Sequence, residues 1–583
     1  MSAPTASATV GPRTASRPRT DYRAASELRW ALIAGLALAV VMFSPIPLHL
    51  ERDVLHDPLD PKLQAWEMAW NAHAFLSQPF HFWQANMYWP NADVLAFSDA
   101  LVGYLPLGLL GELVGGGPKG ALLGYNLACL VAFSVAFAGP YLLGRELGLP
   151  RAAAMVAGIV YAWSPWRWPQ TGHLHIVSCG AMIVAVALLL RGYRRGRPRA
   201  VLGGWLFFAW QLLIGVSIGL QALYLVFLLA CAGAVVWWRG DRPRPSREVI
   251  RATIVGLGLT ALVLLWMGVP YLRVRNDHPE VVRTIEDIRF LSPPVKGLLA
   301  PSPDNLLWGR ALADNRGGLR WPPEMLLFPG FAMFVLAVPG LIGGWFSRRL
   351  RIGLLVAGVL TLIFALGTTI DDGNFTYKLL FDYAPGWDGP RTPGRLLVIA
   401  TLPFALLAGA GVAYLGDLAA RVRRAPRWAP VAVCGLAGLY GLAEGSHWQT
   451  DVPGPGLVAG PQHLAVPARP AALSTAKAPV LHLPPTEPDS YDYILWSTAD
   501  WKPIVNGLSG FQPTGTGVLY SEIGGFPDAA SVAALRAFHV NTVVVYPDRI
   551  VNTPYADVLS RDVRGLGVRR RVQDGIVFFD LQP

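Results

Sequence analysis

The sequence predicts an α-helical polytopic membrane protein that carries an α/β domain at its C-terminal end. Three observations predict it. Hydrophobic residues make up 53% of the 583 residues and charged residues 15%, whereas soluble domains carry about a quarter charged residues. Apolar runs long enough to cross a bilayer recur as far as residue 446. After residue 447 the pattern changes to short β-rich runs separated by turns.

The net charge is +11. The arginines that contribute to it cluster between the apolar runs, where positive charge orients helices in a membrane. This distribution does not favour a nucleic-acid partner. Cys129, Cys179, Cys231 and Cys434 all lie within apolar runs and lack the spacing of metal ligands. The sequence therefore predicts neither a disulfide framework nor a zinc site.

Three domains are predicted: a disordered cytoplasmic N-terminus (1–29), a transmembrane domain (30–446) and an extracytoplasmic α/β domain (447–583). About eleven spans are expected, and no cleavage site follows the first. They are 30–50, 120–143, 151–165, 175–192, 201–216, 218–238, 251–271, 325–346, 352–370, 395–419 and 428–446.

The arginine clusters predict the orientation. Placing all of them in the cytoplasm is consistent with eleven crossings and puts the loops 51–119 and 272–324 outside. A further apolar run at 99–114 then cannot cross, so a re-entrant or interfacial helix is expected. The alternative is a twelfth span.

The first outer loop contains most of the candidate chemistry. Asp60 opens the run DPKLQAWEMAW, and Asp57 and Asp99 are further carboxylates of the loop. A helix over about 62–76 would align Trp66, Trp70 and His73 on one face. Aromatic planes beside carboxylates suit sugar rings, although aromatic residues also populate the membrane interface without binding a ligand.

Polar residues at other outer loops add candidates. Arg167, Gln170, His173 and His175 lie within 164–176, where the two histidines are weak candidates for metal ligands. Arg391 and Arg395 lie at the outer mouth of a span, where they would either cradle a phosphate or anchor the helix to lipid headgroups.

The order of these features resembles the GT-C superfamily of polytopic glycosyltransferases, in particular its bacterial RgtA/B/C/D-like and dolichyl-phosphate-mannose mannosyltransferase-like branch. The resemblance is carried by 60–70, 85–106, 124–148, 152–176 and 390–395. It covers the first 200 residues well and the remainder loosely. The pair of adjacent carboxylates present in some relatives is absent from the first outer loop of this chain.

The resemblance implies an inverting glycosyltransferase in the bacterial plasma membrane. Such an enzyme moves a sugar from a polyprenyl-phosphate donor to a glycan, lipid or protein acceptor of the cell envelope, on the outer face. No cofactor is required by this expectation, and a divalent cation, Mg or Mn, is compatible with it. The alternative is a non-catalytic lipid or polysaccharide transporter, or an envelope assembly factor, that shares the fold.

Roles for individual residues follow from the same resemblance. Asp60 is expected to be catalytic, with Asp99 or Asp57 as a second acidic residue. The donor phosphate is assigned to Arg391, Arg395 and Arg167. Contacts with the sugar or the acceptor are assigned to Gln64, Trp66, His73, Asn86 and His173.

In the C-terminal region, 478–483, 502–508, 541–547 and 568–581 are predicted strands, the last a hairpin that turns at 573–575, and 529–539 is a predicted helix. This domain is expected to cap the site or to bind the acceptor; a rigid cap without a ligand is the alternative.

Overall fold

The computed structural model describes residues 24–55, 59–240, 245–422, 426–447 and 466–582, without the side chain of residue 237. Helices of nine or more residues are labelled α1 to α16 in chain order. They are Ala24–Met42, Asp60–Ser77, Leu105–Val114, Gly117–Glu146, Arg151–Ala162, Gly180–Arg195, Pro198–Ile214, Val216–Trp238, Arg247–Asp277, Phe331–Ile342, Arg348–Ala365, Leu397–Arg421, Ala429–Glu444, Glu487–Ser497, Thr514–Glu522 and Ala529–Ala537. Shorter helices are Leu174–Val177, Ile285–Leu291, Pro322–Met325 and Tyr377–Tyr383.

The chain is a multi-pass membrane protein, and every predicted span overlaps a helix. In the described residues, six helical segments are long and apolar enough to cross a bilayer: Ala24–Met42, Gly117–Glu146, Leu174–Arg195, Val216–Val236, Arg247–Asp277 and Pro393–Arg421. Five further apolar helices have 10–17 residues. The first span ends at Met42 instead of residue 50, because Pro45 and Pro47 follow and interrupt helical hydrogen bonding. The number of crossings and their orientation stay predictions.

The segment 99–114 forms a 3-10 turn followed by α3, which has ten residues. Ten residues of α-helix extend about 15 Å, roughly half of the hydrocarbon thickness of a bilayer. Helix α3 packs tightly on α4. Glycine at 111 permits this approach, since a Cβ there would lie 2.1 Å from the carbonyl oxygen of Gly120. The length of α3 supports a segment that does not cross.

The C-terminal region contains a four-stranded sheet in the order β1-β2-β4-β3, with β1 Val480–Leu483, β2 Thr542–Val545, β3 Val568–Gln573 and β4 Ile576–Leu581. Strands β1 and β2 are parallel, and the other two pairs are antiparallel. The predicted hairpin is confirmed. Its turn residues Asp574 and Gly575 have φ of 52° and 75°, the left-handed values that a tight two-residue hairpin turn requires.

The predicted strand at 502–508 is wrong, because this stretch forms a single bridge with the sheet, between Ile504 and Val480. Its backbone bonds to β1 only at Val480, where the Val505 N–H donates to the Val480 carbonyl at 2.8 Å, and it bonds on its other side to the first loop. The Ile504 N–H donates to the Asn86 carbonyl at 2.8 Å, and the Trp89 N–H donates to the Ile504 carbonyl at 3.0 Å. Side chains from both regions also share one hydrophobic cluster, which includes Trp66 and Tyr491. The C-terminal region is therefore packed against the loop that holds Asp60.

Candidate active site

Asp60 is the first residue of α2 and is followed by Pro61, which suits the first turn of a helix because it needs no N–H donor there. A carboxylate at this end is stabilised by the helix dipole. The Tyr491 hydroxyl donates to Asp60 Oδ1 at 2.7 Å, and His173 Nε2 donates to Oδ2 at 2.9 Å. The Asp60 side chain is 28% exposed, so a ligand can reach it.

These contacts keep Asp60 ionised. Burial raises the pKa of its carboxyl, but the hydrogen bonds from His173 and Tyr491, with the charge of the histidine, outweigh burial and lower the pKa to about 2. Burial conversely disfavours the charged form of His173, and its hydrogen bond with Asp60 reverses this and raises the pKa of the imidazole. The pair is an ionised carboxylate beside an imidazole that is protonated more readily than an ordinary histidine.

A chain of hydrogen bonds leads from this pair to an arginine. His173 Nδ1 lies 3.0 Å from Gln170 Oε1, and Gln170 Nε2 donates to Glu324 Oε2 at 3.2 Å. Glu324 accepts two bonds from Arg395, from Nη2 at 2.5 Å and from Nε at 3.3 Å. Burial raises the pKa of Glu324, but the charge of Arg395 reverses this and lowers it. The candidate phosphate ligand Arg395 is thus already engaged by a carboxylate.

Gln64 fastens α2 to the loop that carries His173. Its Nε2 donates to the Gly172 carbonyl at 2.7 Å, and its Oε1 accepts from the Leu174 N–H at 2.6 Å. Both ends of the buried amide are therefore used in holding the loop. Gln64 therefore lies beside the site, and its hydrogen bonds hold the backbone of the loop that carries His173.

Asp99 occupies the other side of the histidine pair. Its Oδ2 lies 3.4 Å from His175 Nε2 and accepts from the Ser217 hydroxyl at 2.9 Å, while its Oδ1 accepts from the Val216 N–H at 2.5 Å, at the start of α8. The ring centroids of His173 and His175 are 5.8 Å apart. The structure brings Asp60 and Asp99 to one cluster, each with its own histidine.

Glu67 is a third carboxyl of this region, and the sequence reasoning did not single it out. It is 2% exposed and accepts a hydrogen bond from the Ser98 hydroxyl. Burial, followed by the negative charges of Asp99 and Asp60, raises its pKa well above the ordinary value. Its position seven residues after Asp60, two helical turns along the same face, was the available signal.

The aromatic residues assigned to the sugar lie elsewhere. Trp66 is fully buried, and its indole N–H donates to Asn86 Oδ1 at 3.1 Å. His73 stacks on Trp501 with ring centroids 4.6 Å apart, and it lies thirteen residues beyond Asp60, or about 20 Å along α2. The structure thus engages Trp66 and Asn86 with each other and does not bring His73 to Asp60.

The three arginines assigned to phosphate are not gathered together. Arg167 is 1% exposed and donates to the carbonyls of Tyr161 at 2.9 Å and Val177 at 3.3 Å, so its guanidinium is committed to its own loop. Arg391 is exposed, and its charge interacts with Asp287. Asp57, the second alternative acidic residue, lies outside the described residues.

Arg391 has a cationic neighbour that sequence reasoning did not assign to phosphate. Burial lowers the pKa of the Arg283 guanidinium, and the nearby charge of Arg391 lowers it further. Arg283 donates to the Gly510 carbonyl at 2.6 Å, and Asp287 is the carboxylate that interacts with both arginines. Arg283 and Arg391 thus form a local concentration of positive charge, which favours an anionic ligand nearby.

The side chains of the cluster do not form a metal site in the described ranges. Within the described ranges, no group of three or more His, Cys, Asp or Glu side chains is placed to hold a metal ion. Both Asp60 oxygens accept hydrogen bonds from side chains, and Asp99 accepts from the start of α8.

Comparisons with known proteins give structural likenesses only. No protein-family model and no curated protein matches the chain. Among solved structures, ArnT from Cupriavidus metallidurans bound to undecaprenyl phosphate is similar at 12% identity over 96% of this chain and 100% of that one, with a TM-score of 0.46. The oligosaccharyltransferase AglB from Archaeoglobus fulgidus, with an inhibitory peptide and a dolichol-phosphate, is similar at 12% identity over 96% and 74%, with a TM-score of 0.45.

An Archaeoglobus fulgidus oligosaccharyltransferase in complex with Zn and sulfate is similar at 12% identity over 90% of this chain and 68% of that one, with a TM-score of 0.45. At this identity and degree of superposition, none of these likenesses assigns a substrate, a metal or a catalytic residue to the present chain.

Proposed function

We propose that the protein is an inverting glycosyltransferase that moves a sugar from a polyprenyl-phosphate donor to a hydroxyl of a cell-envelope acceptor on the outer face of the plasma membrane. The observation that carries the proposal is the Asp60 carboxylate. It is ionised, partly exposed and fixed by two hydrogen bonds from different parts of the chain.

In the proposed reaction, the acceptor hydroxyl attacks the anomeric carbon while the bond from that carbon to the phosphate oxygen breaks. The polyprenyl phosphate leaves with the bonding electron pair. Attack from the face opposite the leaving group inverts the anomeric centre. Asp60 accepts a hydrogen bond from the attacking hydroxyl and takes its proton.

The low pKa of Asp60 is compatible with this role. A hydroxyl oxygen that has begun to bond to carbon is far more acidic than a free alcohol, so even a weakly basic carboxylate accepts its proton late in the reaction. Because Asp60 stays ionised throughout the neutral range, its negative charge also stabilises the oxocarbenium character of the anomeric carbon. Protonation of Asp60 removes both effects.

The leaving phosphate needs cations, and Arg391 with Arg283 is the pair that the structure favours for it. Arg391 is exposed, its charge acts on the nearby Arg283, and Asp287 interacts with both arginines. Arg395 is bound to Glu324 and, through Gln170, supports His173. We therefore assign Arg391 to the donor phosphate and Arg395 to positioning the Asp60–His173 pair.

The test uses the purified full-length protein in lipid nanodiscs with undecaprenyl-phosphate-linked sugars, one hexose or one pentose at a time. Acceptors are supplied as envelope glycan and lipid fractions. The expected result is release of undecaprenyl phosphate and appearance of the sugar on an acceptor with inverted configuration. Transport of the intact donor across a vesicle membrane without cleavage would instead establish the transporter alternative.

A further inference from the structure

We infer that Tyr491 of α14 is a positioning residue for Asp60, and that the ion triad formed by Lys62, Asp492 and Arg549 holds Tyr491 in place. The inference rests on the proposed function, since it names a residue that sets the geometry of the same site. It gives the C-terminal region a part in the reaction beyond covering the site.

Two neighbouring residues of α14 contact the first turn of α2. The Tyr491 hydroxyl donates to Asp60 Oδ1 at 2.7 Å, and Asp492 Oδ1 accepts from Lys62 Nζ at 2.5 Å. Tyr491 is 5% exposed. The two contacts join helices 430 residues apart in sequence and fix the rotation of α14 relative to Asp60.

Lys62 and Asp492 of the triad are buried, Arg549 is half-buried, and each charge has a partner of opposite sign. The side chains of Lys62 and Asp492 are 9% and 8% exposed, and the second Asp492 oxygen accepts from Arg549 Nη2 at 2.8 Å. Arg549 is held in turn by Asp489 at 3.0 Å, and its guanidinium lies over the Trp496 ring at 5.0 Å. Removing one partner from a buried ion pair leaves an uncompensated charge and is strongly destabilising locally.

A carboxylate at the end of a side chain rotates about its terminal bond unless both oxygens are held. His173 holds Asp60 Oδ2, and Tyr491 holds Oδ1. Each oxygen keeps a further lone pair for the acceptor hydroxyl. Tyr491 therefore fixes the direction from which the acceptor must donate, and without it the carboxylate samples directions that do not face the donor sugar.

Loss of Tyr491 also changes the protonation of Asp60, because a donor to the ionised form lowers the pKa of a carboxyl. The titratable and charged groups that face Asp60 come from several elements. They are Tyr491 from α14, His173 and His175 from the segment before α6, Glu67 from α2 and Arg395 just before α12. Tyr491→Phe leaves all the others in place, so its effect isolates one hydrogen bond.

The experiment compares Tyr491→Phe with Tyr555→Phe in the full-length protein. Tyr555 is a buried tyrosine of the other hydrophobic cluster of the C-terminal region, so the control removes the same hydroxyl away from Asp60. The first readout is the rate at which a carbodiimide labels Asp60 at pH 5, followed by mass spectrometry, because carbodiimides react with the protonated carboxyl. Tyr491→Phe is expected to raise this rate about tenfold, the effect of losing one hydrogen bond to a charged group, and Tyr555→Phe to leave it unchanged.

The second readout is turnover with the undecaprenyl-phosphate donor. Tyr491→Phe is expected to lower kcat about tenfold with little change in the KM of the donor. Asp492→Asn is expected to act in the same direction. Combined with Tyr491→Phe, it should lower kcat by less than the product of the two separate effects, since both act on one contact.

Wild-type values of both the labelling rate and kcat in Tyr491→Phe would overturn the inference. If the wild-type protein releases no undecaprenyl phosphate, the proposed function has failed. The labelling rate needs no substrate, so it still decides whether Tyr491 controls Asp60.

Discussion

Replacement of Asp60 by asparagine is the most direct test of the site. Asparagine has nearly the same shape and its side-chain oxygen still accepts from Tyr491, but it carries no charge and accepts no proton. In the variant, His173 faces either the amide oxygen, which accepts its hydrogen bond, or the amide N–H, which does not. The imidazole also loses its ionic partner.

The effect on stability follows from the pKa of Asp60, which falls from an ordinary 3.8 to about 2 in the folded protein. A depression of this size corresponds to about 2 kcal/mol of folding stability. Because the folded pKa is the lower one, this stability is fully present above the unfolded pKa and is lost as the pH falls toward 2. Asp60→Asn should therefore lower the Tm by a few degrees at pH 7, and the difference from wild type should shrink below about pH 4.

The effect on catalysis is larger. Loss of a positioned general base costs between about 100-fold and 10,000-fold in rate. The assay measures undecaprenyl phosphate released from the labelled donor by protein in nanodiscs, alongside thermal unfolding. Asp314→Asn, an exposed carboxylate of the 272–324 loop, is the matched control and should keep wild-type turnover.

Turnover by Asp60→Asn within a few-fold of wild type would refute the assignment of Asp60 as the catalytic carboxylate. Asp99 is then the next residue to test, because it belongs to the same cluster and contacts the second histidine. Loss of turnover together with loss of the folded protein would be answered by Asp60→Glu, which restores the charge. Glutamate should then recover folding and part of the rate if charge at this position is what matters.

Arg395→Lys should lower turnover at least about tenfold in the same assay, because an ammonium cannot reproduce the two bonds to Glu324; a normal rate would show that only charge is needed there. Arg391→Lys should also lower turnover at least about tenfold with the protein still folded, whereas normal turnover would identify Arg391 as a headgroup anchor. For topology, a cysteine at the exposed Gly389 should react with an impermeant maleimide added outside, and one at the exposed Arg349 should not; the reverse pattern would place the site in the cytoplasm.

Much of the fold was predictable because it follows local rules. Each apolar run became a helix, since a chain in lipid must satisfy its backbone hydrogen bonds within the segment. The Asp574–Gly575 hairpin was predictable because its residues tolerate the required left-handed backbone. The helix predicted over about 62–76 begins at Asp60, where Pro61 suits its first turn. The strand expected at 502–508 failed because its backbone bonds to the sheet only at Val480 and otherwise to the first loop, a pairing that no local pattern records.

The sequence by itself determined that the protein is a polytopic helical membrane protein and that Asp60 opens a helix in a polar loop, because composition, periodicity and helix-start chemistry are local properties of the chain. Only the tertiary structure decided what surrounds Asp60. Its two hydrogen-bond partners, His173 and Tyr491, lie 113 and 431 residues away. The sequence could not show that Arg395 pairs with Glu324 while Arg391 stays exposed. Such contacts depend on which segments the packing of distant helices brings together, and the pKa of Asp60 depends on those contacts.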